Sequence, residues 1–233
     1  MQFYSELINQ GKLLFKYRGQ TPIMLLFIAI PMIIQTSFYN QYSIIIQNTG
    51  IIISILGLLM RYYTIGSTPN ETSGRNRDKQ IAEKLNTTGI YSLIRHPLYM
   101  ANYIIWLGLS IFSLSYLFII ITTLFFILQY ERIILKEEDF LLEKFKKKYI
   151  QFCDNTHVFI PKFKNYKKST HVFSINKIFK QEYSSTASTI ICFLYIDFLI
   201  QFYFNNQSID TYIKPIFILL IVTLLFRILK KHI

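Results

Sequence analysis

The sequence predicts an all-α, multi-pass integral membrane helical bundle of about six transmembrane helices with both termini in the cytoplasm. Three observations carry this. Hydrophobic residues make up 52% of the 233 residues while charged residues fall to 16%, which is not the composition of a soluble domain. The apolar residues stand in long blocks rather than at alternating or helical spacing, as they do when the surrounding solvent is lipid. Lys and Arg collect in every second connection between those blocks, which is the charge bias that sets membrane orientation.

Taken in order, the first predicted span covers residues 23–39. No small-residue cleavage site follows it, so it is expected to stay as an anchor rather than be removed as a signal peptide. The second covers 44–62, with a polar interruption, Gln47-Asn48-Thr49-Gly50, near its start. Residues 98–130 contain no charged side chain. As one straight helix they would reach roughly 50 Å at about 1.5 Å per residue, against a hydrocarbon core of about 30 Å. They must form a hairpin, turning within 110–115. Two further spans are predicted at 187–204 and 215–229.

Lys12, Lys16 and Arg18 precede the first span; Arg75, Arg77, Lys79, Lys84 and Arg95 lie between the second and third; residues 132–180 are the most basic stretch. The connections at 40–43, 110–115 and 205–212 contain no Lys or Arg. Six spans with both termini inside satisfy every loop. The expected home is the bacterial inner membrane, or the endoplasmic reticulum in a eukaryote.

The net charge of +12 sits between and beside the apolar blocks, so anionic membrane lipids, and no nucleic acid, are the expected partners. Cys153 lies in a Lys-rich segment and Cys192 in an apolar block, and both read as free thiols. The turn-rich loop 64–88 is either a lid or a connector. Residues 162–183 read as a basic, partly amphipathic surface stretch. Asp197, in the middle of the fifth span, is a functional candidate or is paired with a polar group on a neighbouring helix.

Two constellations carry chemistry. The first is Gly89-Ile90-Tyr91-Ser92-Leu93-Ile94-Arg95-His96-Pro97-Leu98-Tyr99. Pro97 suits the first turn of a helix, whose free N–H groups and positive dipole end accept a carboxylate or phosphate. Arg95 and His96 add donors, and Tyr91 and Tyr99 offer aromatic faces to a cation. Read alone, the Arg-His pair is an anchor to headgroups. The second is Glu131-Arg132, then Glu137-Glu138-Asp139-Phe140-Leu141, Phe145 and Tyr149, ending at Phe159-Ile160-Pro161. Acidic residues number only 13, yet four fall within 131–139. Read alone, they are a solvated helix face with ordinary pairs such as Glu143 with Lys147.

Together, Gly89-x-Tyr91-x-x-x-Arg95-His96-Pro97-x-Tyr99, an apolar hairpin, Glu137-Glu138-x-x-Leu141, Tyr149 and Pro161 resemble the isoprenylcysteine carboxyl methyltransferase and phospholipid methyltransferase superfamily. The resemblance covers residues 86–161. It implies a methyltransferase-like catalytic core there, within a single membrane domain 1–233 in which 162–233 add the basic surface segment and two extra spans. It further implies S-adenosylmethionine as cofactor, held by Tyr91, His96, Pro97, Leu98, Tyr99, Glu137 and Glu138 on the cytoplasmic side. Arg95 and Arg132 become the catalytic arginines, Arg132 facing the methyl acceptor. The sequence departs from the pattern at Ala101-Asn102 and at Lys146, each where a Gly is usual, and in the two spans after Pro161.

Methyl transfer from a sulfonium is an in-line displacement that needs alignment and a dry site. A carboxylate acceptor with a pKa near about 4 is already ionised, whereas an amine near about 10 needs a base. No base stands out in the sequence, so the expected reaction is carboxyl O-methylation of a lipid-like or prenylated acceptor. Three alternatives are carried alongside it: phospholipid N-methylation, an NADPH-dependent membrane sterol or enone reductase with the same Arg-His-Pro-x-Tyr signature, and a non-catalytic membrane scaffold.

Overall fold

The computed structural model describes residues 2–36, 43–69, 82–206 and 208–229. Residues 70–81 of the loop expected to be a lid or connector, including Arg75, Arg77 and Lys79, lie outside the described residues, as do most of the connection at 40–43 and Gln207. Among the described residues there are eight α-helices: α1 (Gln2–Tyr17), α2 (Ile23–Ile34), α3 (Ser43–Ser67), α4 (Pro97–Phe112), α5 (Tyr116–Phe145), α6 (Lys147–Asn155), α7 (Ile175–Asn205) and α8 (Asp210–Leu229). The only β pairing among them is a pair of isolated bridges, Gly89 with Lys167 and Ile94 with His157.

An apolar helix stands at each of the six expected places. Four of them, α3, α5, α7 and α8, are long and apolar enough to cross a membrane; α2 and α4 are shorter. At 12 and 16 residues these two reach only about 18 and 24 Å at 1.5 Å per residue. The hairpin turns within the predicted window: Ser113 ends α4, Leu114 takes a left-handed φ of 62°, and the Ser115 hydroxyl caps α5 by accepting from the Phe118 N–H.

Close backbone approach explains two features that hydropathy does not. The polar interruption near Gly50 leaves α3 unbroken, because Gly50, Ser54 and Gly57 recur on one face and meet α4. A Cβ on Gly108 would fall 2.3 Å from the Gly50 carbonyl oxygen, and the Ser54 hydroxyl donates to the Ile105 carbonyl at 2.6 Å. Small residues let membrane helices pack backbone to backbone in this way. The other feature is α1, an amphipathic helix not anticipated before the first span. It buries Gly11 and Phe15 and crosses α5 so closely that a Cβ on Gly11 would lie 2.1 Å from the Arg132 carbonyl oxygen.

Helix α7 begins at Ile175, capped by Ser174, rather than at 187. The stretch 162–183 is therefore a surface segment only in its first half. Lys177 is buried and donates to the Thr68 and Pro69 carbonyls at 2.6 and 2.9 Å, closing the exposed end of α3. Glu182 is buried too, against Arg61 of α3. Asp197 takes the second of its two expected roles: the Tyr212 hydroxyl donates to it at 2.7 Å, tying α7 to α8.

Candidate active site

The segment before α4 is shaped by local hydrogen bonds and by a strap formed by residues 157–174. Gly89 sits at a φ of 61°, open to glycine without strain, and its N–H donates to the Lys167 carbonyl at 2.7 Å. The buried Ser92 hydroxyl donates to the Gly89 carbonyl at 2.6 Å and accepts the Lys167 N–H at 2.9 Å. The Arg95 N–H reaches the His157 carbonyl at 2.8 Å. The strap thus holds the chain in register up to Pro97, which opens α4. His96 at the N-cap makes no side-chain capping bond, so the first-turn N–H groups depend on other acceptors.

The hairpin returns α5 to this end of the bundle and joins the two constellations. The Tyr99 hydroxyl donates to Glu137 Oε2 at 2.7 Å. His96 is buried between two carboxylates, its Nε2 3.1 Å from Glu138 and its Nδ1 3.7 Å from Glu137. Glu138 also pairs with Arg95 at 3.1 Å. The rings of His96, Tyr99 and Tyr130 form a stack with centroid separations of 5.6 and 4.7 Å. Burial pushes the Tyr91 phenol above its ordinary pKa; the nearby Glu137 charge adds to this and a hydrogen bond with Asn86 opposes it. Burial likewise raises the Tyr149 phenol, with the Glu138 and Cys153 charges acting the same way. Both hydroxyls stay protonated at neutral pH.

These side chains line a cavity of about 430 Å³, a size typical of small-molecule sites. Of the residues expected from the sequence, Tyr91, Arg95, His96, Pro97, Leu98, Tyr99 and Glu137 line it. Glu138 stands behind them, holding Arg95 and His96. Arg132 is not brought to the cavity: it donates to Gln10 Oε1 and to the Leu128 carbonyl, each at 2.8 Å, facing α1. At about 100° per residue, five positions separate Arg132 from Glu137 by about 140° around α5, whereas Tyr130, seven positions away, shares the Glu137 face.

The structure also brings in residues that motif reading passed over. Arg61 of α3 makes a two-pronged pair with Glu182 of α7, Nε to Oε2 at 2.7 Å and Nη2 to Oε1 at 3.0 Å. Its Nη1 donates to Asn102 Oδ1, and Asn102 Nδ2 donates to the Tyr130 hydroxyl at 2.9 Å. All four side chains line the cavity, as does Arg18 from the turn between α1 and α2. A signal was present for Arg61 and Glu182, since each is a charge in or beside an apolar block. The cavity continues to an apolar part lined by Trp106, Leu109 and Phe126. It can therefore hold a zwitterionic or cationic group near the start of α4 and an apolar group beside it.

This fold and site define a multi-pass helical membrane protein with a mixed polar and apolar cavity at the open ends of a helical hairpin. Residues 45–148, running from α3 into α6, match the family model of the phospholipid methyltransferases. The match starts upstream of residue 86 and so includes Arg61, and it ends short of Pro161. No curated protein and no solved structure matches the chain.

Proposed function

We propose that the protein transfers the methyl group of S-adenosylmethionine to the polar head of a membrane lipid, in the cavity between the start of α4 and the Glu137 face of α5. The observation that carries this reading is the meeting of His96, Tyr99 and Glu137 on one cavity, inside the segment matched by a family of membrane lipid methyltransferases. The donor set suits the cofactor. First-turn N–H groups of α4 suit its carboxylate, Glu137 its ammonium, and the faces of Tyr91 and Tyr99 its sulfonium. Bound there, it supplies an electrophilic methyl on a cationic sulfur that leaves as a neutral thioether.

The chain's own part is alignment and exclusion of water. Arg95 and Glu138 brace His96 from behind, Tyr99 fixes the Glu137 carboxylate, and the apolar part of the cavity takes the start of the lipid chain. Carboxyl O-methylation needs nothing more. N-methylation of an amine-bearing phospholipid is a second reading, supported by the matched family. The proposed orientation puts the cavity and both termini in the cytoplasm, with residues 86–161 as the catalytic core.

Incubating the purified protein with methyl-labelled S-adenosylmethionine and a total lipid extract, followed by mass spectrometry, tests the reading. The expected result is one labelled lipid, absent with His96→Ala. An alkali-labile label indicates the ester and an alkali-stable label the amine. In a parallel incubation supplied with NADPH, its consumption, with no labelled lipid in the first, would overturn methyl transfer altogether.

A further inference from the structure

Two departures from the family pattern meet in the cavity: Asn102, where a Gly is usual, and α7, which lies beyond the matched segment. They meet through Arg61. Asn102 holds one side of its guanidinium and Glu182 of α7 holds the other. Glu182 is only 2% exposed, and a carboxylate so buried is retained with a partner that offsets its desolvation. On α7 the cavity is also lined by Gln181, Ser184, Ser185, Ser188, Thr189 and Cys192. Their spacing of three and four puts them on one helix face. Thr189 turns its hydroxyl back to the Ser185 carbonyl, while Ser184 and Ser188 stand exposed.

Resting on the methyl-transfer reading, we propose that this wall selects the acceptor by taking an uncharged, hydroxyl-bearing part of the lipid headgroup, next to the carboxyl or amino group that receives the methyl. The charge balance decides the class. A carboxylate or phosphate brought to Arg61 meets Glu182, whose oxygen is 2.7 Å from the same guanidinium; an ammonium brought to Glu182 meets Arg61. Neither ion gains much from a pair that is already neutral. A hydroxyl both donates and accepts, and the wall offers both. Of the five guanidinium N–H groups three are engaged by Glu182 and Asn102, leaving two donors beside the serine hydroxyls and the carboxylate. Adjacent hydroxyls, as on a glycerol or sugar head, match that alternation. Arg61 thereby takes the acceptor-facing place expected of Arg132.

Cys192 gives a readout that needs no turnover. In full-length Cys153→Ser protein in nanodiscs it is the remaining thiol, and its alkylation by N-ethylmaleimide is followed with 1-monooleoylglycerol, oleate, oleylamine or adenosine added. Monooleoylglycerol at about four times its Kd is expected to slow alkylation about fivefold, with oleate and oleylamine giving less than about half of that protection. Glu182→Gln should abolish the preference. So should Ser185→Val with Ser188→Val, which leaves the ion pair and the fold intact. Equal protection in these variants, better protection by oleate or oleylamine, or a Cys192 unreactive without any addition would overturn the proposal. Protection by adenosine alone would assign the hydroxyl-binding wall to the cofactor ribose instead of the lipid. Cofactor binding measured on the same samples keeps the two readings apart, because it can persist when headgroup selectivity fails.

Discussion

The Tyr99 hydroxyl ties α4 to the carboxylate of Glu137 at 2.7 Å. A hydrogen bond to a charged group contributes about 1.5–3 kcal/mol. If Glu137 receives the cofactor's ammonium, Tyr99→Phe should weaken S-adenosylmethionine binding by about tenfold, or 1.4 kcal/mol, in a calorimetric titration. An unchanged affinity would remove Glu137 from the contact. Arg132→Ala is the converse case. Its side chain faces Gln10 and Leu128, so cofactor affinity should stay within about twofold, less than 0.5 kcal/mol; a loss as large as that of His96→Ala would return Arg132 to the site. Most of the lining at this end of the cavity was legible in the sequence because Tyr91 to Tyr99 are contiguous and Glu137 lies on the returning helix. Arg132 was misplaced in register, since sequence nearness to Glu137 does not put a side chain on the same face of a helix.

At the scale of elements, the crossing of α3 and α4 depends on Gly50 and Gly108. Neither has room for a Cβ, the nearest backbone atoms being 2.5 and 2.3 Å away. Gly108→Val should lower stability by about 3 kcal/mol, at the upper end of overpacking costs, seen as a fall in the thermal midpoint in detergent. A wild-type midpoint would show the crossing to be loose. The strap makes a separate prediction. Ser92→Ala removes the acceptor of the Lys167 N–H and one of the two donors to the buried Gly89 carbonyl, which keeps the Ser92 N–H, so amide exchange at Lys167 should speed up about tenfold for a loss of about 1.4 kcal/mol. Hydropathy located the spans and the turn at Ser113 to Ser115 because those depend on local composition. It missed α1 and the early start of α7, whose polar residues are helical only because tertiary partners receive them: Arg132 and its neighbours for α1, Arg61 and α3 for α7.

For the whole molecule, the segments outside the family match complete the cavity. Arg18 reaches it from the amino-terminal turn and Glu182 from α7. Removing one partner of a buried pair typically costs about 3–5 kcal/mol, whereas replacing both with apolar residues costs far less. Glu182→Ala should therefore destabilise strongly, and Arg61→Met with Glu182→Leu should recover most of the loss in a double-mutant cycle. Additive losses would mean that the two charges do not interact. Folding recovered in this way without headgroup selectivity would separate the pair's structural role from its role toward the lipid. The central claim, a cofactor held where the hairpin's two open ends meet, is tested most directly by calorimetric titration of the purified protein with S-adenosylmethionine and with NADPH. The account predicts saturable binding of S-adenosylmethionine, lost in His96→Ala and Glu137→Ala and absent for NADPH. Tight NADPH binding, or S-adenosylmethionine binding indifferent to both substitutions, would contradict it.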